Sequence, residues 1–544
     1  MELGPMPVDW VAVSHYCEWD NTSHVSRREP AMVEVDTADS VADKTLYPPR
    51  WAPTFIRWHR TRIGWRESIK LSLGILPRVR DHTVLDYVTA FPGEDDVIVA
   101  RVPFKKFVVV RSPELARHVL VSNQSNYTKS PDYDMLAVAF GRGLVTDLND
   151  ALWQRNRRLV QPIFAKRNVD GFAPVMVEAA ADAVARIREL AQGDGIVDVN
   201  AEMNRLTLDI TSRTMFGTDI TGPMSEVTLY RLLRFFGRGF MTNASYPIHS
   251  VGTWLHRHGR HRNEAGNSRL PMRIMRAAGW VIEPRSMRDL RHAEQVVDGL
   301  IADHRNGRID RKDNLLAALI DAADPETGYK YSDQEIHDEL MTFIGAGMET
   351  TATALSWVWQ LLSEHPEARA RLRGEVTAVL GGRPATAADL DRLPWTQAVV
   401  AETMRLLPPV VGLARTAKEQ DALGGYLIKP GTTVITLIHG AHHSTRVWDR
   451  PDEFDPSRYL PENVEREHKR ATMPFGAGKR MCVASGFANM EAALVVATFA
   501  QHLEFDAVSD KRIRRQNSFT GGPDGPLPMR PRFLPELERA DTAV

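Results

Sequence analysis

Helical periodicity recurs along most of this chain, in stretches at 113–121, 151–165, 173–192, 200–216, 225–242, 333–364, 366–380, 396–406 and 483–503. Apolar residues three and four apart bury one face of a helix, so a chain built this way folds mainly as helices. Strand-like text is confined to a few places. Residues 92–112 hold two β-rich runs, DVIVARV and KFVVV, split by Pro103 and by Lys105-Lys106, which predicts a strand pair. GYLIKPGTTVITLIHG carries turn chemistry at Lys429-Pro430-Gly431, and a last strand-like stretch lies around Ser518 to Met529. The pattern predicts a mainly α fold with small β-sheets in a single large domain. We place that domain at 47–535, between a polar, acidic tail or strap at 1–46 and a short C-terminal tail at 536–544.

Composition narrows the function. Lys plus Arg number 68 against 69 Asp plus Glu, so the chain lacks the basic excess of a nucleic-acid coat. Its two cysteines, Cys17 and Cys482, make no disulfide framework and fit a reducing compartment. No apolar run approaches the length of a membrane span, so we expect a monomeric cytoplasmic protein, at most peripheral to a membrane. Residues 251–290 are locally basic, with eight arginines against Glu264, Glu283 and Asp289. They suit a solvated loop with short helices, or else an element resting on a lipid surface. His442-His443 and the group His256, His258 and His261 lack the spacing of a metal site and read as solvated histidines.

The decisive segment is Phe475-Gly476-Ala477-Gly478-Lys479-Arg480-Met481-Cys482, between a loop and the helix that starts near Val483. A cysteine that binds iron must be held as thiolate, and a helix N-terminus supplies unpaired N–H groups and positive potential. Gly476 and Gly478 allow a tight turn and leave room beside the metal plane. Arg480 offers a guanidinium to a carboxylate, and Phe475 can shield the sulfur from water. Five specified residues at fixed spacing arise by chance with a probability on the order of 10⁻⁴ in a chain this long. An inert buried cysteine is thereby disfavoured.

This loop resembles that of the cytochrome P450 family, the haem-thiolate monooxygenases, although Ala484 stands where the family usually has glycine. The resemblance spans about residues 48 to 532 and implies the cytochrome P450 fold, haem b as cofactor and Cys482 as its iron ligand. In Ala346-Gly347-Met348-Glu349-Thr350-Thr351 it implies the oxygen-activating helix, with Glu349 and Thr350 passing protons to bound O₂ and Gly347 leaving room for it. It also implies that Glu402, Arg405 and Arg458 form a structural triad. Trp153 with Arg157, Arg415 and Arg480 would then seat the haem propionates, since guanidinium pairs well with carboxylate.

Nothing in the chain provides electrons. GAGMET fails the dinucleotide fingerprint, GAGKR fails the phosphate loop, and no cysteine set exists for an iron–sulfur cluster. A separate ferredoxin and ferredoxin reductase, or another external reductase, are implied, docking on the Cys482 side near Arg155, Arg158 and Lys479. Phe343, Ala346, Val410, Val411, Leu413 and Phe519 are expected to line a pocket for a hydrophobic small molecule such as a fatty acid, terpenoid or steroid-like lipid. A peroxide-using or isomerising haem-thiolate enzyme, and a haem-binding sensor without turnover, remain as alternatives.

Overall fold

The computed structural model describes residues 96–102, 105–193, 195–217, 270–282, 284–308, 314–508, 513, 515 and 520–535. The tail at 1–46, the periodic stretch 225–242, the basic residues before 270, the histidines 256, 258 and 261, Cys17, Phe519 and the tail 536–544 lie outside the described residues.

The helices used below are α1 (Asp134–Phe140), α2 (Asp150–Val160), α3 (Ala173–Leu190), α4 (Val199–Phe216), α5 (Leu270–Ile282), α6 (Pro284–Arg305), α7 (Leu315–Asp321), α8 (Asp333–Glu364), α9 (Pro366–Leu380), α10 (Pro394–Leu406) and α11 (Ser485–His502). Three short sheets accompany them. β1 (Val97–Val102), β2 (Lys105–Val110), β3 (Tyr127–Lys129), β5 (Gly412–Ala417) and β8 (Thr433–Leu437) form one sheet in the order β1-β2-β8-β5-β3. β4 (Val197–Asp198), β10 (Pro528–Phe533) and β9 (Leu503–Ala507) form another, and β6 (Asp421–Leu423) pairs with β7 (Tyr426–Ile428).

Most of the expected helices fall where their periods predict. The expected hairpin of β1 and β2 is also present, antiparallel from Val97↔Val110 to Val102↔Lys105. Three differences have physical causes. The turn at Lys429–Gly431 joins two sheets, because β7 pairs back to β6 while β8 joins β5 and β2. The last strand begins at Pro528, later than the strand-like text around 518, and makes its register with β9 through Met529↔Ala507. Part of the basic stretch folds as α5 and α6, where Met287, Leu290, Ala293, Val297 and Ile301 form one buried stripe.

α8 is the beam of the fold, about 48 Å long at 1.5 Å per residue. Ser332 and Glu335 cap its start reciprocally, Ser332 accepting from the Glu335 N–H and Glu335 accepting from the Ser332 N–H. Its first half, from Ile336 to Met348, is buried among α1, α5, α6 and α7. Its second half, from Ala352 to Leu362, belongs to a different core with α3, α9, α10 and α11, where Trp359 stacks on Phe499 at 5.4 Å. Residues 346–350 therefore sit at the junction of two cores.

The opposite end of the site is anchored through α10. Glu402 and Arg405 are fully buried and joined by two hydrogen bonds of 2.7 and 2.8 Å. Arg405 also donates to the carbonyls of His442 (2.9 Å) and Pro451 (2.7 Å), and Arg458 reaches Glu402 at 3.5 Å. His442 overturns the expectation of a solvated histidine. It is fully buried, its Nε2 accepts from the Met473 N–H at 2.8 Å, and burial followed by the neighbouring His443 and Arg405 push it down to about 3. A neutral ring is required because that nitrogen must accept. Removing one partner of a buried ion pair strands the other charge, so Arg405→Leu should lower stability by about 3–5 kcal/mol. Urea unfolding of the full chain checks this; a loss under about 1 kcal/mol would place the pair among ordinary surface salt bridges.

Candidate functional site

Cys482 ends a loop that closes on itself. Its N–H donates to the Phe475 carbonyl, Gly476 N–H to Met473 and Met481 N–H to Gly478, each at 3.0 Å. Gly476 and Gly478 hold φ of 73° and 72°, which side chains rarely adopt. A Cβ on Gly478 would lie 1.8 Å from the Leu120 carbonyl oxygen. That space, expected to face the metal plane, is filled by Leu120 and Gln124, so protein packing demands this glycine. The Ala484 N–H and the Arg157 charge favour a thiolate at Cys482, while burial, the largest influence, pushes the thiol up. Cys482 is nonetheless exposed although it lies deep among protein atoms, so it faces an internal opening.

Beside the loop lies a group of buried cations. Arg480 donates to Asp150 at 2.8 Å and to the Asp147 carbonyl at 3.1 Å, and its guanidinium covers the Trp153 ring at 4.4 Å. Its Nε is buried without a hydrogen-bond partner. Arg415, on β5, stands opposite Lys129 on β3 in the strand register, and both are buried. Burial, then Arg480 and Arg415, push Lys129 well down; burial likewise lowers Arg415, with Arg480 adding to the shift. Asp147 opposes them, though burial holds it up at about 6. Buried cations that repel one another call for further anions. A haem fits this arrangement, since it would bring two carboxylates to Lys129, Arg415 and Arg480 while presenting its iron to Cys482.

Loop 141–147, which carries Asp147, is clamped by α8. Asp338 accepts from the Arg142 N–H at 2.8 Å and Glu339 from the Leu144 N–H at 3.1 Å. A Cβ on Gly141 or Gly143 would come within 2.2 Å of Asp338 or Thr342. Glu339 also accepts from Tyr331, and burial, with Asp147 and Asp338 adding to it, pushes it up to about 8.

In the middle of α8, Ala346, Gly347 and Thr350 retain surface while the residues around them are buried. Val410, Val411 and Leu413 are likewise half-buried. Val483, next to Cys482, packs against the cluster holding Phe343, Ile344 and Met348. The thiol and the middle of α8 thus border one interior. Thr350 donates to the Ala346 carbonyl at 2.6 Å, and Glu349, buried, accepts from Thr520 at 2.6 Å. Burial pushes Glu349 up to about 7, against the pull of the Thr520 hydroxyl.

Several expectations shift in detail. Trp153, Arg415 and Arg480 share one neighbourhood, whereas Arg157 donates to the Met481 carbonyl at 2.7 Å and stands by the thiol. Lys129, which no sequence pattern singles out, stands among these cations beside Arg415 and Arg480. Gly347 points its vacant Cβ direction at Thr211 of α4, while Gly345 is the glycine that packing requires, a Cβ there meeting Phe140 at 2.2 Å. Leu413 lies against Gly476 and the cysteine loop. Of the cations foreseen for docking, Arg155 pairs with Glu335, Arg158 with Asp324 and Lys479 with Asp150 at 3.7 Å, and Lys479 is the exposed one of the three. Lys129, Asp147 and Thr520 carried no motif; only pairing between distant strands and loops brings them here.

The cytochrome P450 family model matches residues 71–527. The chain belongs to the cytochrome P450 family. It is 33% identical to cyclooctatin synthase of Streptomyces melanosporofaciens over 81% of this chain and 90% of that protein. It is 30% identical to cyclooctat-9-en-7-ol 5-monooxygenase of the same organism, over 82% and 90%. The cytochrome P450DA heme domain superposes with a TM-score of 0.67 at 25% identity, over 87% of this chain and 94% of that one. This P450 is a monooxygenase with haem b as its cofactor.

Arg480→Leu removes a buried donor from the cation group and should speed haem loss to excess apomyoglobin about tenfold to a hundredfold, as expected for a charge-assisted hydrogen bond. An unchanged rate would place the propionates elsewhere. Glu339 gives a pH signature. Its value in the fold, about 8, lies above the ordinary 4.5, so the fold binds the extra proton and stability falls as pH rises from 4.5 toward 8. Glu339→Gln should flatten that fall, which melting temperatures across the window will test.

Proposed function

We propose that this P450 hydroxylates an apolar alicyclic substrate of terpenoid type, using O₂ and electrons from a separate ferredoxin and ferredoxin reductase. The observation that carries the substrate class is the uncharged, partly open face formed by Ala346 and Thr350 on α8 with Val410 and Val411 before β5. Such walls bury hydrocarbon and leave few polar groups to fix orientation. Phe343 supports them from beneath, edge-on to Phe164 at 5.7 Å. Two relatives named for cyclooctatin and cyclooctat-9-en-7-ol favour a terpenoid over a straight-chain acid.

Haem b, when bound, supplies the iron that activates O₂. Cys482 is the thiolate that would hold it, kept apart from bulk water by the loop from Phe475 to Met481. Lys129, Arg415 and Arg480 would neutralise its carboxylates. Thr350 is the alcohol nearest the substrate face, and its hydroxyl, presently given to the Ala346 carbonyl, can turn to hand a proton across the opening. Glu349, poised at about 7, is an acid able both to give and to regain a proton near neutral pH. No helix among the described residues is long and apolar enough to cross a membrane. A partner approaching the Cys482 face would meet Lys479.

The test is spectroscopic. The reduced protein with CO should show the thiolate-type Soret shift, and Cys482→Ala should lose it. Sesquiterpene and diterpene alcohols should displace the iron-bound water, seen as a shift to high-spin absorption. Straight-chain fatty acids producing that shift instead would sink the terpenoid reading.

A further inference from the structure

Glu349 and Thr350 are neighbours in sequence, yet in the fold they are engaged in different directions. Thr350 turns along α8 to the Ala346 carbonyl. Glu349 turns to the C-terminal segment, where Thr520 is buried and donates to its Oε1 at 2.6 Å. Thr520 is held from both sides. It bridges to Val410 of the substrate face, and the next residue, Gly521, donates to the Pro409 carbonyl at 2.8 Å and accepts from the Trp357 indole of α8 at 2.9 Å. A Cβ on Gly521 would press Val411 at 3.0 Å. The turn at 520–521 is therefore fitted between α8 and the segment before β5, and among the described residues Thr520 is the side chain that hydrogen-bonds the Glu349 carboxyl.

We propose that Thr520 is a positioning residue for the acid of the proton relay: its hydroxyl holds the Glu349 carboxyl against the C-terminal turn, and the acid serves Thr350 only when that hydrogen bond is exchanged. The proposal rests on the reading of Glu349 and Thr350 as a relay. It adds that the relay is gated by a residue on a segment that also braces the substrate wall at Val410. Only protons move in this step: the carboxyl gives its proton to the Thr350 oxygen as the Thr350 hydroxyl hands its own across the opening, and the carboxylate left behind is stabilised by the returning Thr520 donor. That donor favours the charged acid, so among the described residues it is the Thr520 hydroxyl that opposes the effect of burial on Glu349.

The test compares Thr520→Val, which keeps the shape and removes the hydroxyl, with Thr520→Ser, which keeps the hydroxyl, in the full-length holoenzyme. Infrared spectroscopy follows the carbonyl stretch of the protonated Glu349 carboxyl, assigned by its disappearance in Glu349→Gln. In Thr520→Val the band should move to higher frequency and its titration midpoint rise by about one pH unit, the worth of one such hydrogen bond. Thr520→Ser should restore both. The fraction of reducing equivalents recovered as product should fall several-fold in Thr520→Val at unchanged substrate affinity, and return in Thr520→Ser. An unmoved band, or a moved band with wild-type coupling, overturns the proposal. If Glu349→Gln loses coupling while Thr520→Val does not, the relay stands and the gate falls; if Glu349→Gln keeps full coupling, the relay reading fails and takes the gate with it.

Discussion

Charges taken out of water must be matched, and this protein buries Lys129, Arg415 and Arg480 side by side, with Asp147 and Asp150 the acids that act on them among the described residues. Each is brought by a different part of the fold: β3, β5 and the cysteine loop. The cost of holding them together is offset when an anionic cofactor enters, which couples cofactor binding to the joining of these parts. Two strands, a loop and a helix N-terminus would then share one ligand. The same logic explains why the loop at 141–147 is clamped by two consecutive carboxylates of α8: a displaced Asp147 would leave the cations still less compensated.

A second set of contacts makes the thiol's position rigid. Glu402 and Arg405 lock α10, Arg405 grips the carbonyl of His442, and His442 accepts from Met473 at the start of the loop. From the buried ion pair to the cysteine loop there is thus an unbroken path of hydrogen bonds. Gly478 finishes the path on the far side, where only a missing Cβ lets the loop lie on the Leu120 carbonyl. Neither set touches the reacting atoms, yet both determine where the sulfur stands.

These facts bear on what a sequence can show. Cys482 was legible because local spacing specifies it, in a turn needing two glycines; Glu402, Arg405 and Arg458 followed only from the family resemblance, since an i, i+3 pair taken alone fits a surface ion pair as well. α8 was legible because a period sustained over 32 residues leaves little else for the chain to form. Lys129 was not, because its meaning arises from the β3–β5 register, set by residues almost three hundred positions apart. His442 was misread for a similar reason, since its acceptor role depends on Met473 and its burial on α10. α6 was obscured by its arginines, although its apolar stripe had helical spacing all along. Arg157 lies one helical turn beyond Trp153, and its hydrogen bond to the Met481 carbonyl ties that turn to the cysteine loop, a contact no local spacing announces.

The middle of α8 shows how a helix can be both a beam and a reactive surface. It passes from one core into another at residues 346–350, and there its carbonyls take extra partners: Ala346 accepts from Thr350, and Met348 lies 3.0 Å from the Thr207 hydroxyl of α4. A hydroxyl bonded back onto the helix loosens and bends it locally. Both halves flanking the stretch that faces the opening are held by packing in their separate cores. Glu349 lies on the other side of that stretch, in protein rather than in the opening, which keeps its carboxyl dry and its proton available near neutral pH. The helix thus separates its alcohol, which meets the substrate face, from its acid, which meets the C-terminal turn.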